Sequence, residues 1–279
     1  MQNIGIFYNP TLFKNIQKLQ SHIEFLVKNS FNVSLLGSQK RDRLENISYV
    51  QAFTKDNIDS LIVLGGDGTI LLASKLVLKK GIPILGFNHG KLGFLSECDK
   101  HEFEFVISAL KNDSYSIEER MVLEYLPALD RAEIRYALND CVLYKGIYPK
   151  MLTFEVFGNQ EFLFNIEADG LVVSTPTGST GYNISAGGSI AFPSTNVLLL
   201  TPINPHNQFI KPFILSADMS LTINYIKGDS QVCIAIDGEN VDAVDKNIEI
   251  LIKKSVYQSR FIKLPDKSFA KIVREKFIG

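Results

Sequence analysis

The chain has 279 residues, of which 46% are hydrophobic, and its formal net charge is −1. This length suits one large domain or two modest ones with an ample core. The near-neutral charge gives no basic field for nucleic acid or an anionic membrane, and no apolar run reaches the roughly 18 residues of a membrane span. The cysteines Cys98, Cys141 and Cys233 fit no CxxC pattern and are expected to be buried free thiols. Because no signal-peptide pattern is visible, we expect a cytoplasmic protein.

Strands and helices alternate over roughly the first 115 residues. The predicted strands are Ile4–Tyr8, Val33–Leu36, Ser60–Leu64 and Ile82–Gly86. Helices are predicted on the apolar face that runs from Leu12 to Leu26, around Leu44–Val50, and from Thr69 to about Lys80. Such alternation predicts a parallel sheet covered on both sides, with ligands at the carboxyl ends of its strands.

A glycine-rich motif, Gly65-Gly66-Asp67-Gly68-Thr69, follows the apolar strand that ends at Leu64. Glycines let the backbone come close to a ligand and present N–H groups to phosphate oxygens. A carboxylate beside phosphate is unfavourable unless a cation, a proton transfer or a hydroxyl contact compensates it. The motif therefore indicates a phosphate cradle with a functional Asp67. The alternative is a plain strand-to-helix turn in which Asp67 caps the helix.

From about Ser116 the pattern changes to closely spaced strands without intervening helices. The predicted strands are Tyr136–Leu143, Leu152–Phe157, Phe162–Ile166, Leu171–Ser174, Val197–Leu200, Ser220–Ile226, Val232–Ile236 and Ile248–Ile252. Such spacing predicts an antiparallel sandwich or layered sheet. Helical spacing returns over Lys267–Phe277.

The change of pattern predicts the domain organisation. We expect an α/β domain with a parallel sheet over residues 1–115 and a mostly antiparallel, β-sandwich-like domain over residues 116–262. A C-terminal helix over residues 263–279 is expected to pack back on the first domain. The sheet edges of the β-rich half need covering, which favours a homo-oligomer.

Two polar segments stand out in the β-rich half. In residues 169–188, the apolar strand Leu171–Val173 leads into a loop dense in hydroxyls and glycines, which suits a planar polar ligand such as adenine with its ribose. A solvated linker is the alternative. The pair Asn139-Asp140 interrupts an apolar run. It either marks a β-bulge or sheet edge, or recognises hydroxyls or an amide of a ligand.

Taken together, these segments resemble the NAD kinase family, the ATP- or polyphosphate-dependent enzymes that make NADP from NAD. The resemblance covers nearly the whole chain, through the segments 65–69, 83–88 with 92–95, 139–140, 169–188 and 201–206. The GGDGT motif is shared with lipid kinases that act on diacylglycerol or sphingoid bases. The DGL…STPTGST-x-Y…GG segment is far more specific and decides for the NAD kinases.

The resemblance implies roles for individual residues. Asp67 corresponds to a general base that takes the proton of the adenosine 2′-hydroxyl, and Gly68 to a nucleotide contact, with Gly65, Gly66 and Thr69 beside phosphates. Asn139 and Asp140 match a pair that holds the adenine and ribose of NAD. Asp169 matches an acidic residue at the far end of the dinucleotide, often in a neighbouring subunit's site. The matching substrate-binding loop comprises Thr177, Thr180, Gly181, Tyr182, Asn183, Ile184 and Ser185.

The resemblance also implies the remaining participants. Mg²⁺ or another divalent cation would come with ATP, and no metal is expected on protein side chains alone. A homodimer or homotetramer is implied, with no nucleic acid or membrane partner. The alternatives are a lipid kinase of the diacylglycerol or sphingosine type, and a non-catalytic regulator that binds a nucleotide.

The chain departs from the family pattern at three positions. Gly181 stands where Ala is common, Lys211 where Arg is usual, and Glu167 where some bacterial relatives have a basic residue. Lys cannot reproduce a bidentate guanidinium contact. Lys150 is a candidate basic contact, with a solvated lysine as the alternative. Glu239 lies in an Asp-Gly-Glu turn that is either near the nucleotide or a plain hairpin turn.

Overall fold

A computed structural model describes residues 1–10, 16–39, 44–88, 93–99, 102–126, 134–147, 150–207, 209–228, 231–265 and 268–278. The chain forms two compact units. The first unit comprises Met1–Glu119 and Ser259–Gly279, and the second unit comprises Arg120–Gln258.

The strands of the described ranges are numbered here in chain order. They are β1 (Asn3–Tyr8), β2 (Asn32–Leu36), β3 (Ser48–Val50), β4 (Ser60–Leu64), β5 (Ile84–Asn88), β6 (Cys98–Asp99), β7 (Ser116–Arg120), β8 (Leu123–Leu126), β9 (Arg135–Ala137), β10 (Asp140–Tyr144), β11 (Leu152–Gly158), β12 (Glu161–Ala168), β13 (Gly170–Ser174), β14 (Val197–Ile203), β15 (Phe213–Ser216), β16 (Leu221–Lys227), β17 (Val232–Ile236), β18 (Glu239–Val244), β19 (Glu249–Lys254) and β20 (Ser259–Lys263). The helices are α1 (Ile16–Lys28), α2 (Asp67–Val77), α3 (Phe103–Lys111), α4 (Tyr182–Ser185) and α5 (Phe269–Val273), the last continued by a π-helical turn over Arg274–Ile278.

The first unit is built on a largely parallel sheet. Its strand order is β3-β2-β1-β4-β5-β20-β7, with β6 beside β5, and the pairings from β3 to β20 are parallel. Strands β4 and β5 are buried along their whole length, as expected for a sheet covered on both faces. The C-terminal strand β20 pairs with β5 through Phe261 and Ile84, so the end of the chain returns to this unit. The predicted α/β fold is confirmed.

One predicted helix of the first unit is wrong. Over Leu44–Val50 the chain is irregular and then forms the short edge strand β3, which pairs in parallel with β2. Tyr49 and Val50 are aromatic and β-branched residues that suit a sheet edge. Three apolar residues at helical spacing are too few to outweigh that pairing. The beginning of the first predicted helix, from Leu12, lies outside the described residues.

The second unit is an antiparallel sandwich, as predicted. Its described strands form two six-stranded sheets, with the orders β15-β14-β13-β10-β17-β18 and β12-β11-β16-β19-β8-β9. Side chains from both sheets share one apolar core, in which Phe154, Leu171 and Ile234 are fully buried. No helix in the described ranges has the length and apolar character that a membrane span requires.

The predicted strand Tyr136–Leu143 is in fact two strands. Strand β9 ends at Ala137 and belongs to one sheet, whereas β10 begins at Asp140 and belongs to the other. Leu138 and Asn139 carry the chain across, and this segment with Asp140 is called the crossover below. The polar pair therefore marks a change of sheet and not a bulge inside a strand.

Candidate active-site residues

Asp67 lies where the buried strand β4 gives way to α2. Gly66 is the N-cap of α2 in an extended conformation, and Asp67 is the first helical residue. The Asp67 carboxylate does not cap this helix. It accepts hydrogen bonds from the segment that follows β5 instead, so the plain-cap alternative does not describe this turn.

Three donors fix the orientation of the Asp67 carboxylate. The Phe94 N–H donates to Oδ2 at 2.8 Å, and the Leu95 N–H donates to Oδ1 at 3.3 Å. The Ser96 hydroxyl also donates to Oδ1, at 3.1 Å. Gly93 permits this approach, because a Cβ there would lie 1.8 Å from Oδ1. Leu92, the first residue of the predicted segment 92–95, lies outside the described residues.

The glycines of the motif differ in what surrounds them. A Cβ on Gly65 would lie 2.4 Å from the Thr69 hydroxyl oxygen, so Gly65 is required for packing, and Thr69 itself is buried. A Cβ on Gly66 or Gly68 would have nothing within 4 Å. Open space therefore borders the N-terminus of α2, where the first N–H groups have no acceptor within the helix. This is an arrangement that binds anions such as phosphate.

In the second unit, Asp237 organises the crossover. Its carboxylate accepts the N–H groups of Leu138 at 3.1 Å, Asn139 at 2.7 Å and Asp140 at 3.3 Å. Asp237 has a φ of 51° and Gly238 a φ of 81°, because they form the tight turn between β17 and β18. The left-handed conformation of this turn brings one carboxylate under three consecutive N–H groups.

The crossover carries a buried acid and a buried amide oxygen. Asp140 is 4% exposed. Burial, and secondly the nearby Asp237 carboxylate, raise the pKa of Asp140 to about 7, while a hydrogen bond from the Tyr182 N–H acts in the opposite direction. Among the described residues, the buried Oδ1 of Asn139 has no hydrogen-bond partner. A buried acceptor of this kind is costly unless a donor reaches it.

The loop after β13 is attached to the crossover. The Thr175 N–H donates to the Asn139 carbonyl at 2.9 Å, and the Thr175 hydroxyl donates to the Leu138 carbonyl at 2.6 Å. Gly178 lies so close that a Cβ would be 2.1 Å from the Asn139 carbonyl oxygen. The loop and the crossover therefore form one structure.

The predicted loop residues fall into two groups. Thr177 and Asn183 are buried, and the Asn183 amide is occupied by the carbonyls of Ser179 and Ser189 and by the Thr201 hydroxyl. These two buried residues therefore stabilise the loop itself. The residues that reach solvent at least in part are Thr180, Gly181, Tyr182, Ile184 and Ser185.

Asp169 lies apart from that loop. It precedes β13, whereas the loop follows β13, so a five-residue strand of roughly 17 Å separates them. Although burial acts in the opposite direction, hydrogen bonds from Lys145 at 2.5 Å and Asn204 at 3.2 Å hold the pKa of Asp169 below its usual value. The remaining candidates of the second unit are exposed: Lys150, Glu167, Lys211 and Glu239.

Sequence reasoning missed two residues that hold these groups in place. The Asp-Gly turn at 237–238 was visible as a hairpin signal, but nothing in the sequence tied it to the crossover. Ser96 carried no signal at all. The described residues contain no cluster of three or more His, Cys, Asp or Glu side chains suited to a metal ion.

An oriented carboxylate beside an open, glycine-lined helix N-terminus fits a phosphotransferase of the kinase type. Comparisons with known proteins agree. The family model described as the ATP-NAD kinase N-terminal domain matches residues 5–115. The model described as the ATP-NAD kinase C-terminal domain matches residues 138–264. The chain belongs to the NAD kinase family, and the resemblance found in the sequence is confirmed.

Individual relatives support the assignment. The chain is 36% identical over 269 residues to an NAD kinase of Carboxydothermus hydrogenoformans, covering 96% of this chain and 94% of the relative. It is 38% identical over 221 residues to an NAD kinase of Heliobacterium modesticaldum, covering 78% of each. Because both halves match NAD kinases, the lipid-kinase alternative is not supported.

Solved structures agree with this fold. Yeast NADH kinase complexed with NADH superimposes with a TM-score of 0.87 at 26% identity, over 99% of this chain and 87% of that one. An NAD kinase from Archaeoglobus fulgidus in complex with ATP superimposes with a TM-score of 0.72 at 25% identity, over 95% of this chain and 94% of that one.

The contacts of two loop glycines predict unequal effects of alanine. Gly178→Ala would push a methyl group into the Asn139 carbonyl, and we expect a loss of about 1–3 kcal/mol in the free energy of unfolding. Gly181→Ala meets its nearest atom at 3.2 Å and should cost less than about 1 kcal/mol. Urea denaturation of both variants measures the difference. Equal losses would contradict the packing described here.

The environment of Asp140 predicts a pH dependence of stability. Its pKa is about 7 in the folded protein, against 3.8 for the ordinary side chain. The folded state therefore holds a proton that the unfolded state releases, and stability falls as pH rises through this window. In Asp140→Asn, this decrease in the free energy of unfolding with rising pH should be absent. Urea unfolding at about pH 5 and about pH 8 measures the difference in the free energy of unfolding. The same difference in the wild type and in Asp140→Asn would contradict the raised pKa of Asp140.

Proposed function

We propose that the protein transfers the terminal phosphate of ATP to the adenosine 2′-hydroxyl of NAD, giving NADP and ADP. The observation that carries the proposal is the oriented Asp67 carboxylate at the open, glycine-lined N-terminus of α2. Family membership and the solved neighbours, one complexed with NADH and one with ATP, support these ligand classes. Polyphosphate remains an alternative donor.

In the proposed reaction, Asp67 is the general base. Each carboxylate oxygen has two lone pairs. Among the described residues, Oδ1 accepts two hydrogen bonds, from Leu95 and Ser96, whereas Oδ2 accepts one, from Phe94. Oδ2 thus keeps a lone pair and is the atom that we propose receives the proton. The 2′-oxygen forms a bond to the transferred phosphorus, and the bond to ADP breaks with its electron pair on ADP.

The donor phosphates are proposed to lie at Gly65, Gly66, Gly68 and Thr69. Open space at two of these glycines lets phosphate oxygens approach N–H groups at the start of α2. Mg²⁺ or another divalent cation would come with the donor and neutralise charge on its phosphates. Positioning and charge neutralisation supply most of the catalysis in such transfers, and a carboxylate, being a weak base, accepts the proton late.

The second unit is proposed to bind NAD. The partnerless Oδ1 of Asn139 can accept an N–H of the ligand, and Asp140 can hold a ribose hydroxyl. Tyr182, with 46% of its surface exposed, offers a ring beside them, and Ser185 a hydroxyl. We propose outer contacts for the exposed Lys150, Glu167 and Glu239. Asp169, at the other end of β13, is proposed to serve a neighbouring subunit.

Asp67→Asn tests the proposed function. The amide cannot accept the hydroxyl proton, so we expect kcat to fall by about 10²-fold or more while NAD affinity stays near wild type. Because the amide NH2 must face one of the three donors to Asp67, the free energy of unfolding should fall by about 1–3 kcal/mol. The assay follows NADP from NAD with ATP and Mg²⁺, and an EDTA control tests the cation. Asp56→Asn, an exposed carboxamide change in the same unit, is the matched control.

Each outcome of this assay is informative. Wild-type kcat in Asp67→Asn would contradict the role of the carboxylate. NAD binding without product in the wild type would select a non-catalytic regulator. If NADP forms with polyphosphate and not with ATP, the donor is polyphosphate.

We also propose a homodimer or homotetramer in the cytoplasm. The edge strands β12 and β15 expose Phe162 by 52% and Ile214 by 61%, a feature of surfaces that partners cover. Cys98, Cys141 and Cys233 form no disulfide, which suits a reducing compartment. We expect light scattering to give two or four times the monomer mass, and Ile214→Glu to reduce it. A monomeric wild type would contradict the assembly.

A further inference from the structure

All three donors to Asp67 come from one short segment, the clamp loop, which comprises Gly93–Glu97. The loop has its own internal hydrogen bond, because the Gly93 N–H donates to the Ser96 hydroxyl at 3.1 Å. Its end is tied to the sheet, since the Glu97 N–H donates to the Gly86 carbonyl at 3.0 Å. The position of the Asp67 carboxylate therefore depends on how firmly this loop is held.

The C-terminal part of the chain contacts the clamp loop at Phe94. The Phe277 ring stacks on the Phe94 ring, with centroids 5.5 Å apart and an angle of 19° between the planes. The Phe269 ring lies at 6.1 Å, and the Lys276 ammonium is 4.8 Å from the centre of the Phe94 ring. Phe94 is also the residue whose N–H makes the 2.8 Å hydrogen bond to Oδ2 of Asp67.

The same part of the chain also binds the clamp loop at Glu97. The Glu97 side chain is buried, with 4% of its surface exposed, and Lys263 forms a salt bridge with it. The Leu264 N–H donates to the other carboxylate oxygen at 2.9 Å. C-terminal residues thus contact the clamp loop at the first donor to Asp67, Phe94, and at Glu97, directly after the last donor.

Residues 269–278 contribute little to the core, whereas Leu264 is one of its buried residues. Helix α5 and the turn after it contain no buried residue, and Phe277 is 45% exposed. Its ring contacts nevertheless converge on the residue that orients Oδ2. A segment that served only to complete the core would place its apolar side chains in the interior.

We propose that Lys263, Leu264, Phe269, Lys276 and Phe277 are positioning residues for Asp67, acting through Phe94 and Glu97 of the clamp loop. The proposal rests on the proposed role of Asp67 as general base. The rings and the buried salt bridge restrict the clamp loop, and the loop holds the lone pair of Oδ2 in the direction from which the hydroxyl proton leaves. Small displacements of a catalytic group are expensive, on the order of 10²-fold in rate for about 1 Å.

Phe277→Ala is the primary test. We expect kcat to fall by about tenfold, while the KM for NAD and the melting temperature change little, since the ring is half-exposed. Phe277→Tyr keeps the stacked ring and should restore kcat. Two exposed residues of the same unit serve as controls, Phe105→Ala on α3 and Ile278→Ala beside the target, and both should retain wild-type kcat.

Hydrogen exchange gives a readout that does not depend on activity. The Phe94 amide hydrogen should exchange faster in Phe277→Ala than in the wild type or in Phe105→Ala, because its hydrogen bond to Asp67 opens more often. Should Phe277→Ala lower the melting temperature, Lys276→Gln is measured in its place, because it removes the exposed cation that lies over the Phe94 ring. Unchanged kcat and unchanged exchange in these variants would overturn the proposal.

A double-mutant comparison separates this proposal from the proposed function. If Asp67→Asn keeps wild-type kcat, the role of the base fails, and the positioning role fails with it. If Asp67→Asn is inactive while Phe277→Ala is fully active, only the positioning role fails. When both proposals hold, adding Phe277→Ala to Asp67→Asn does not lower the residual rate further, because the group that it positions is already gone.

Discussion

A carboxylate that accepts several main-chain N–H groups holds together each group of candidate residues in this protein. Asp67 does so in the first unit with Phe94 and Leu95, and Asp237 does so in the second unit with the three residues of the crossover. Hydrogen bonds with a charged partner are stronger than neutral ones, and several on one carboxylate fix its orientation. The loops that carry the candidate residues are thereby anchored to the sheets.

The two carboxylates nevertheless do different work. Asp67 is partly exposed and keeps a free lone pair, so it can act on a substrate. The Asp237 carboxylate accepts hydrogen bonds from the N–H groups of the crossover. These bonds hold Asp140 in a buried position beside a second acid. That arrangement opposes ionisation of Asp140 and costs stability near neutral pH. Such a cost is common at sites where function requires a polar group to wait for its ligand.

Glycine serves two purposes around these sites. At Gly93 and Gly178 a side chain would collide with the Asp67 carboxylate or the Asn139 carbonyl, so the absence of a Cβ is a packing requirement. At Gly66 and Gly68 there is open space, so the absence of a side chain leaves the backbone accessible to a ligand. Counting glycines in a motif does not separate these cases, because the distinction depends on what lies opposite each residue.

Local patterns in the sequence were sufficient for much of this protein. Alternating strands and helices, then strands alone, predicted an α/β fold followed by a sandwich, because burial on one or two faces leaves a periodic trace in the chain. The glycine motif after β4 and the polar loop after β13 were also visible, since each joins an apolar strand to residues that suit a ligand. Tertiary structure alone decided the partners. The donors to Asp67 lie 27 to 29 residues away, and the crossover N–H groups lie 97 to 99 residues from Asp237. These groups meet only when the sheets assemble, and no local pattern records which distant residue will be there.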